Sequence, residues 1–200
     1  MSPMAPRSPR EPIWLITGPP GAGKTSVARA LLRRSPFGIH VPVDDLREWV
    51  VSGIAHPVPR WTDETGRQFA LARRAAASLA RIYADAGFAV VIDDVILPPD
   101  DEAAFAVPLR GYALRKVLLR PRLDVVLARN AERTTKAFDT ATLEATIRAL
   151  HPAMAAHRFA AAGWIVVDNS DLSLEETVDA IAERPLARSD PSGKAGTADC

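Results

Sequence analysis

The chain is poor in several things that would each point to a different kind of protein. Its only cysteine is Cys200, at the extreme C-terminus, which excludes an internal disulfide framework and suits a reducing cytoplasm. No apolar run approaches the ~20 residues of a membrane span. The first ten residues carry arginine and proline but no apolar segment, so they do not read as a secretory signal. No single sign of charge dominates: the formal net charge is +1. The basic residues are nearly all arginine and are spread along the chain, which is not the footprint of extended nucleic-acid binding. A folded site can still gather arginines that are distant in sequence.

What is present begins with size. Two hundred residues at 48% hydrophobic content suffice for one domain, which at this length buries roughly 70% of the surface its unfolded chain exposes. Within it, Ile13-Trp-Leu-Ile-Thr17 is an apolar run that breaks into Gly18-Pro19-Pro20-Gly21-Ala22-Gly23-Lys24-Thr25 and then into the helix-forming Ser26-Val-Ala-Arg-Ala-Leu-Leu. Strand, Gly-x-x-x-x-Gly-Lys-Thr, helix is the phosphate-binding P-loop in its proper context. Phosphates need inward-pointing backbone N–H groups that no side chain blocks, and the positive end of the following helix favours an anion. The spacing therefore predicts that Gly18 to Ser26 bind ATP, with Lys24 on the β- and γ-phosphates and Thr25 on Mg²⁺.

Further along, 38–43 reads as a short strand, with Pro42 acceptable only at its end. Residues 53–62 read as a loop and 64–86 as a long helix with Phe69, Leu71, Ala76, Leu79, Ile82 and Tyr83 on its buried side. Residues 88–94 form a continuous apolar run ending in Asp93 and Asp94, as a parallel strand covered on both faces should. Strands follow at 116–119, before a helix opened by Pro121, and at 164–168. Ser173-x-x-Glu176 is a capping box for the last helix. This alternation implies an α/β fold with a mainly parallel sheet and helices on both faces. Ligands bind such sheets at the carboxyl ends of the strands, where Thr17, Asp44 and Asp93 all fall. The domain is expected over 12–184, with disordered tails at 1–11 and 185–200.

Asp44 is the informative carboxylate. Just beyond the second strand, it can face the γ-phosphate and accept a proton from an acceptor hydroxyl; it can equally be a helix N-cap. Asp93 ends a strand expected beside the P-loop strand, where a carboxylate holds Mg²⁺. Of the pair Asp93 is favoured for the metal and Asp94 for the acceptor, but the sequence leaves open which of the two faces the metal. Arg47, Trp61, Arg67 and Gln68, with Trp49, are candidates for a pocket that stacks and hydrogen-bonds an acceptor, the tryptophans being equally readable as core. His40, His56, His151 and His157 show no metal-ligand spacing.

In its P-loop, its Val-Asp44-Asp-Leu-Arg segment and its Val91-Ile-Asp-Asp-Val-Ile-Leu97 segment, the chain resembles the P-loop kinase group that includes chloramphenicol phosphotransferase, zeta toxins, polynucleotide kinases and gluconate or shikimate kinases. The resemblance implies a P-loop NTPase fold of nucleoside-kinase type. It places the catalytic aspartate two residues before an apolar position, here Leu46, and so on Asp44. It also implies a lid at about 129–140, with Arg133 on phosphate, Arg129 near the base or α-phosphate, and Lys136 close by; a solvated charged face is the alternative. The expected activity is transfer of the γ-phosphoryl of ATP to a hydroxyl of a small molecule, an antibiotic among the candidates, in the cytoplasm. A polynucleotide or nucleotide-sugar kinase, and an ATP-binding resistance or regulatory module without transfer, are the alternatives. The Asp168-Asn-Ser-Asp171 stretch does not match the guanine-binding motif of GTPases.

Overall fold

A computed structural model describes residues 11–132 and 140–184. The tails expected at 1–11 and 185–200 fall outside the described residues except for Glu11, and so do Arg133 and Lys136 of the expected lid. In chain order the elements are β1 (Ile13–Thr17), α1 (Lys24–Leu32), β2 (Gly38–Pro42), α2 (Val43–Glu48), α3 (Asp63–Asp85), β3 (Ala89–Asp93), a π-helical turn (Glu102–Ala106), β4 (Leu114–Leu119), α4 (Leu123–Glu132), α5 (Thr140–Ala153), α6 (Ala156–Ala161), β5 (Ile165–Val167) and α7 (Leu174–Ala182).

The five strands form one sheet in the order β2-β3-β1-β4-β5, every pairing parallel. Strands β1 and β3 are buried at all five positions, because continuous apolar runs such as Ile-Trp-Leu-Ile suit only a strand covered on both sides. Alternate residues feed two cores. Trp14, Ile16, Val91, Val117 and Leu119 pack with Val27, Ala28 and Leu31 of α1 and Val178 and Ile181 of α7. Ile13, Leu15, Val41, Val90, Ile92 and Leu118 pack with Phe69, Ala72, Ala76 and Ala80 of α3 and with Phe105, Met154 and Phe159.

β2 is an edge strand, and Pro42 closes it opposite Asp93, a position where a missing N–H costs little. Two expected members of the buried side of α3 are corrected: Leu71 and Ile82 are 47% and 63% exposed. The buried stripe runs instead through Gln68, Phe69, Ala72, Ala76, Ala77, Ala80 and Ala84, since small alanines let the helix approach the sheet closely. Pro121 lies two residues before the first helical residue of α4 rather than in its first turn. Among the described residues, no helix is long and apolar enough to cross a membrane.

Candidate active site

Between β1 and α1, the backbone turns on glycines that no other residue could replace cheaply. Gly21 has φ +87°, and a Cβ there would meet the Val126 carbonyl oxygen at 2.9 Å. Gly23, the residue before α1, has φ +92°. The left-handed backbone at both favours glycine. Within the loop, the Ala22 N–H donates to the Pro19 carbonyl at 3.0 Å. No side chain caps the start of α1, and no acidic residue stands in its first turn. Its first N–H groups are thus left to an anionic ligand. Ser26 is exposed on that turn. The Lys24 Nζ donates to the Gly18 carbonyl at 3.0 Å, so its charge is held over the loop.

On the α1 side of the sheet, Thr25 Oγ1 donates to Asp93 Oδ2 at 2.8 Å, and His40 Nε2 lies 3.3 Å from the same oxygen. Asp93 is 6% exposed. Burial works against its ionisation, but the bond to His40, the charge of Lys24 and the bond from Thr25 together hold the carboxyl below its ordinary range. Two oxygen donors beside a phosphate cradle fit Mg²⁺, which takes few protein ligands and completes its shell with phosphate and water. Among the described residues no three His, Cys, Asp or Glu cluster as an all-protein metal cage.

The next residue faces the other way. The Arg73 Nε donates to Asp94 Oδ2 at 2.7 Å, and the Asp94 Oδ1 accepts from the Val95 N–H at 2.7 Å. Burial pushes the Asp94 carboxyl up; Arg73 opposes this, and the negative charge of Asp44 adds to it. Asp44 itself is exposed in the first turn of α2, and its charge is felt at Asp94. Asp44 is not the N-cap of α2, because Pro42 holds that position. The chain of contacts continues through Phe69, whose ring carries Arg73 at 5.5 Å and Arg47 at 5.0 Å, to Trp61, stacked on Phe69 at 5.2 Å.

Three residues expected to line an acceptor pocket have other tasks here. Arg47 is 2% exposed and donates to the Ala55 carbonyl at 3.3 Å. Gln68 is 5% exposed and bonds the Gly53 carbonyl, the Ala55 N–H and Glu64. Arg67 pairs with Glu64, and that pairing, led by the hydrogen bond from Arg67, lowers the Glu64 carboxyl to about 2. Arg47 and Gln68 thus fasten the loop between α2 and α3, while Arg67 pairs within α3. Trp49 and Trp61, readable as core, are exposed on that loop's flanks. Arg129 donates to the Asn169 carbonyl at 3.1 Å.

The residues missed by sequence reasoning are His40 and Arg73; Asn169 lies in the Asp168-Asn-Ser stretch that the sequence offers only weakly as an adenine contact. Asn169 donates from Nδ2 to the Ala22 carbonyl at 3.0 Å, while its Oδ1 is buried with no partner among the described residues. His40 had a signal: it lies two residues before the end of a strand, on the face that Asp93 shares in the neighbouring strand. Arg73 had none, since one arginine among several on a long helix carries no mark of its partner.

A family model described as an AAA domain matches residues 13–157. No curated protein sequence matches the chain. Among solved structures, the Deinococcus radiodurans tunicamycin resistance protein is 20% identical with a TM-score of 0.58, over 86% of this chain and 94% of that one. A gluconokinase from Sinorhizobium meliloti 1021 is 20% identical with a TM-score of 0.56, over 86% and 90%. The Mycobacterium tuberculosis APS kinase solved with AMPPNP and APS is 19% identical with a TM-score of 0.57, over 88% and 97%. At these identities the likeness is one of fold: a P-loop NTPase built on an all-parallel sheet.

Proposed function

The chain belongs to the AAA domain family, and from that we propose that it is a Mg·ATP-dependent phosphotransferase carrying the γ-phosphoryl group to a hydroxyl of a small molecule. One observation carries the proposal: adjacent carboxylates at the end of β3 turn to opposite faces of the sheet, one of them to the P-loop threonine. Asp93 is bonded to Thr25, and Asp94, held by Arg73, is coupled to Asp44. A phosphoryl donor and a hydroxyl acceptor need that division, with cationic and metal-holding groups behind the phosphates and a base in front.

In this reading the P-loop amides and Lys24 hold the phosphate oxygens. Thr25 and Asp93 would hold Mg²⁺, which would supply neutralising positive charge at the phosphates. Asp44 takes the proton of the acceptor hydroxyl as its oxygen bonds to the γ-phosphorus and the bond to the β,γ-bridging oxygen breaks, releasing ADP. Arg133 is assigned to the transferring phosphoryl and Arg129 to the nucleotide side. Trp61, Arg67 and Asp94, with the loop fastened by Arg47 and Gln68, frame the acceptor's approach. The cytoplasm, where ATP is abundant, is the proposed setting.

The test is transfer of label from γ-labelled ATP, with Mg²⁺, to a panel of antibiotics, sugars, nucleosides and short oligonucleotides. The tunicamycin resistance protein and gluconokinase that share the fold motivate the first two classes. Label on one hydroxylated compound is expected, and Asp44→Asn should lower that transfer by about a hundredfold or more while ATP still binds. Label released only as free phosphate would instead support an ATP-binding module without transfer, and label on oligonucleotide ends a polynucleotide kinase.

A further inference from the structure

Asp93, the carboxylate that would hold Mg²⁺, has two partners and not one. Thr25 belongs to the P-loop motif. His40 does not, and it comes from the edge strand β2, where it is paired in register with Val91, two residues before Asp93. Side chains two apart on a strand share a face, so the His40 ring extends along the sheet towards the strand ends and meets Asp93 on the α1 side. Its side chain is 12% exposed. An ionised carboxylate only accepts hydrogen bonds, so the ring presents N–H at Nε2.

Both donors converge on one oxygen, Asp93 Oδ2, at 2.8 Å from Thr25 and 3.3 Å from His40. A single bond from Thr25 would leave the carboxylate free to turn about Cβ–Cγ; two donors arriving from different elements fix its plane. We propose that His40 is a positioning residue for the metal, holding the Asp93 carboxylate in the orientation from which it and Thr25 receive Mg²⁺. This rests on the reading that Thr25 and Asp93 hold the ion. The ring also lines a surface depression of about 320 Å³ with Arg29, Leu32, Arg33 and Gly38.

Groups that orient metal-binding side chains from behind commonly set metal affinity by about ten- to a hundredfold. The experiment uses the whole chain and two readouts: nucleotide affinity in Mg²⁺ and in chelator, and Mn²⁺ binding in the presence of ADP followed by electron paramagnetic resonance. His40→Ala should weaken metal binding about tenfold or more and leave metal-free nucleotide affinity unchanged. His40→Gln, whose amide reaches the place of Nε2, should restore it, and His40→Asn, too short to do so, should behave like alanine. The Asn and Gln variants keep the comparison valid if alanine fails to fold. Unchanged metal binding in His40→Ala, or Asn and Gln behaving alike, overturns the role of His40. Wild-type nucleotide affinity that ignores Mg²⁺ overturns the underlying metal reading itself.

Discussion

A single hydroxyl shows how site and scaffold share residues. Thr17 ends β1 at the P-loop and is fully buried. Its Oγ1 donates to the Ile96 carbonyl at 3.0 Å and accepts from the Ile96 N–H at 3.1 Å. Position alone made Thr17 a site candidate; the bonds give it the task of tying the loop after β3 to the strand that launches the P-loop. Thr17→Val keeps the shape and leaves two backbone groups unpaired in the core. Stability should fall by about 1–3 kcal/mol, read as a lower urea midpoint with an unchanged slope. Arg73 is a sharper case. It is 17% exposed, and its partner Asp94 is 1% exposed at the side chain. Arg73→Leu should cost about 3–5 kcal/mol by stranding that carboxylate. Adding Asp94→Asn should recover part of the loss in thermal melts, because the stranded charge is then gone.

Among the elements, those with a local signature were legible. The Ser173–Glu176 capping box opens α7 with both reciprocal bonds made, and Ser173→Ala should lower stability by about 1 kcal/mol in a thermal melt. The Ser173 backbone N–H, and then its hydroxyl, hold the Glu176 carboxyl below its usual range. A depressed carboxyl stabilises the fold above its unfolded value and loses that contribution as pH falls through the folded one. The stability gap between wild type and Glu176→Gln should accordingly shrink on acidification through the carboxylate range. The box at α3 was not legible, because Thr65 stands where Glu or Gln would announce it. Helices α5 and α6 and the π-helical turn were not legible either. The P-loop strand and β3, uniform in β-branched and apolar residues, were read within one residue of their ends.

For the whole molecule, the two flanks of the sheet make nucleotide binding and folding one equilibrium. A ligand that binds only the folded chain adds about 2.7 kcal/mol at a hundredfold excess over its Kd, and each kcal/mol raises Tm by about 2–4 °C in a chain of this size. Mg·ATP should therefore raise Tm by several degrees in differential scanning calorimetry, and Lys24→Ala should abolish most of that rise. A shift of equal size in both proteins would mean that the P-loop is not where the nucleotide acts.

Sequence by itself determined what depends on neighbours in the chain: the P-loop from its glycines and Lys-Thr end, the parallel sheet from runs too apolar for a half-exposed strand, and the strand ends that collect Thr17, Asp44 and Asp93. Contacts between residues far apart in the chain were decided only by the tertiary structure. Asp93 and Asp94 are adjacent and chemically identical, yet one turns to Thr25 and His40 and the other to Arg73. Successive side chains at a strand end project to opposite faces, and which helix waits on each face is settled by packing. Arg47 and Gln68 show the same limit. Their polarity suggested a pocket, but the loop between α2 and α3 had unpaired backbone groups to satisfy under partial burial, and these side chains were the ones within reach.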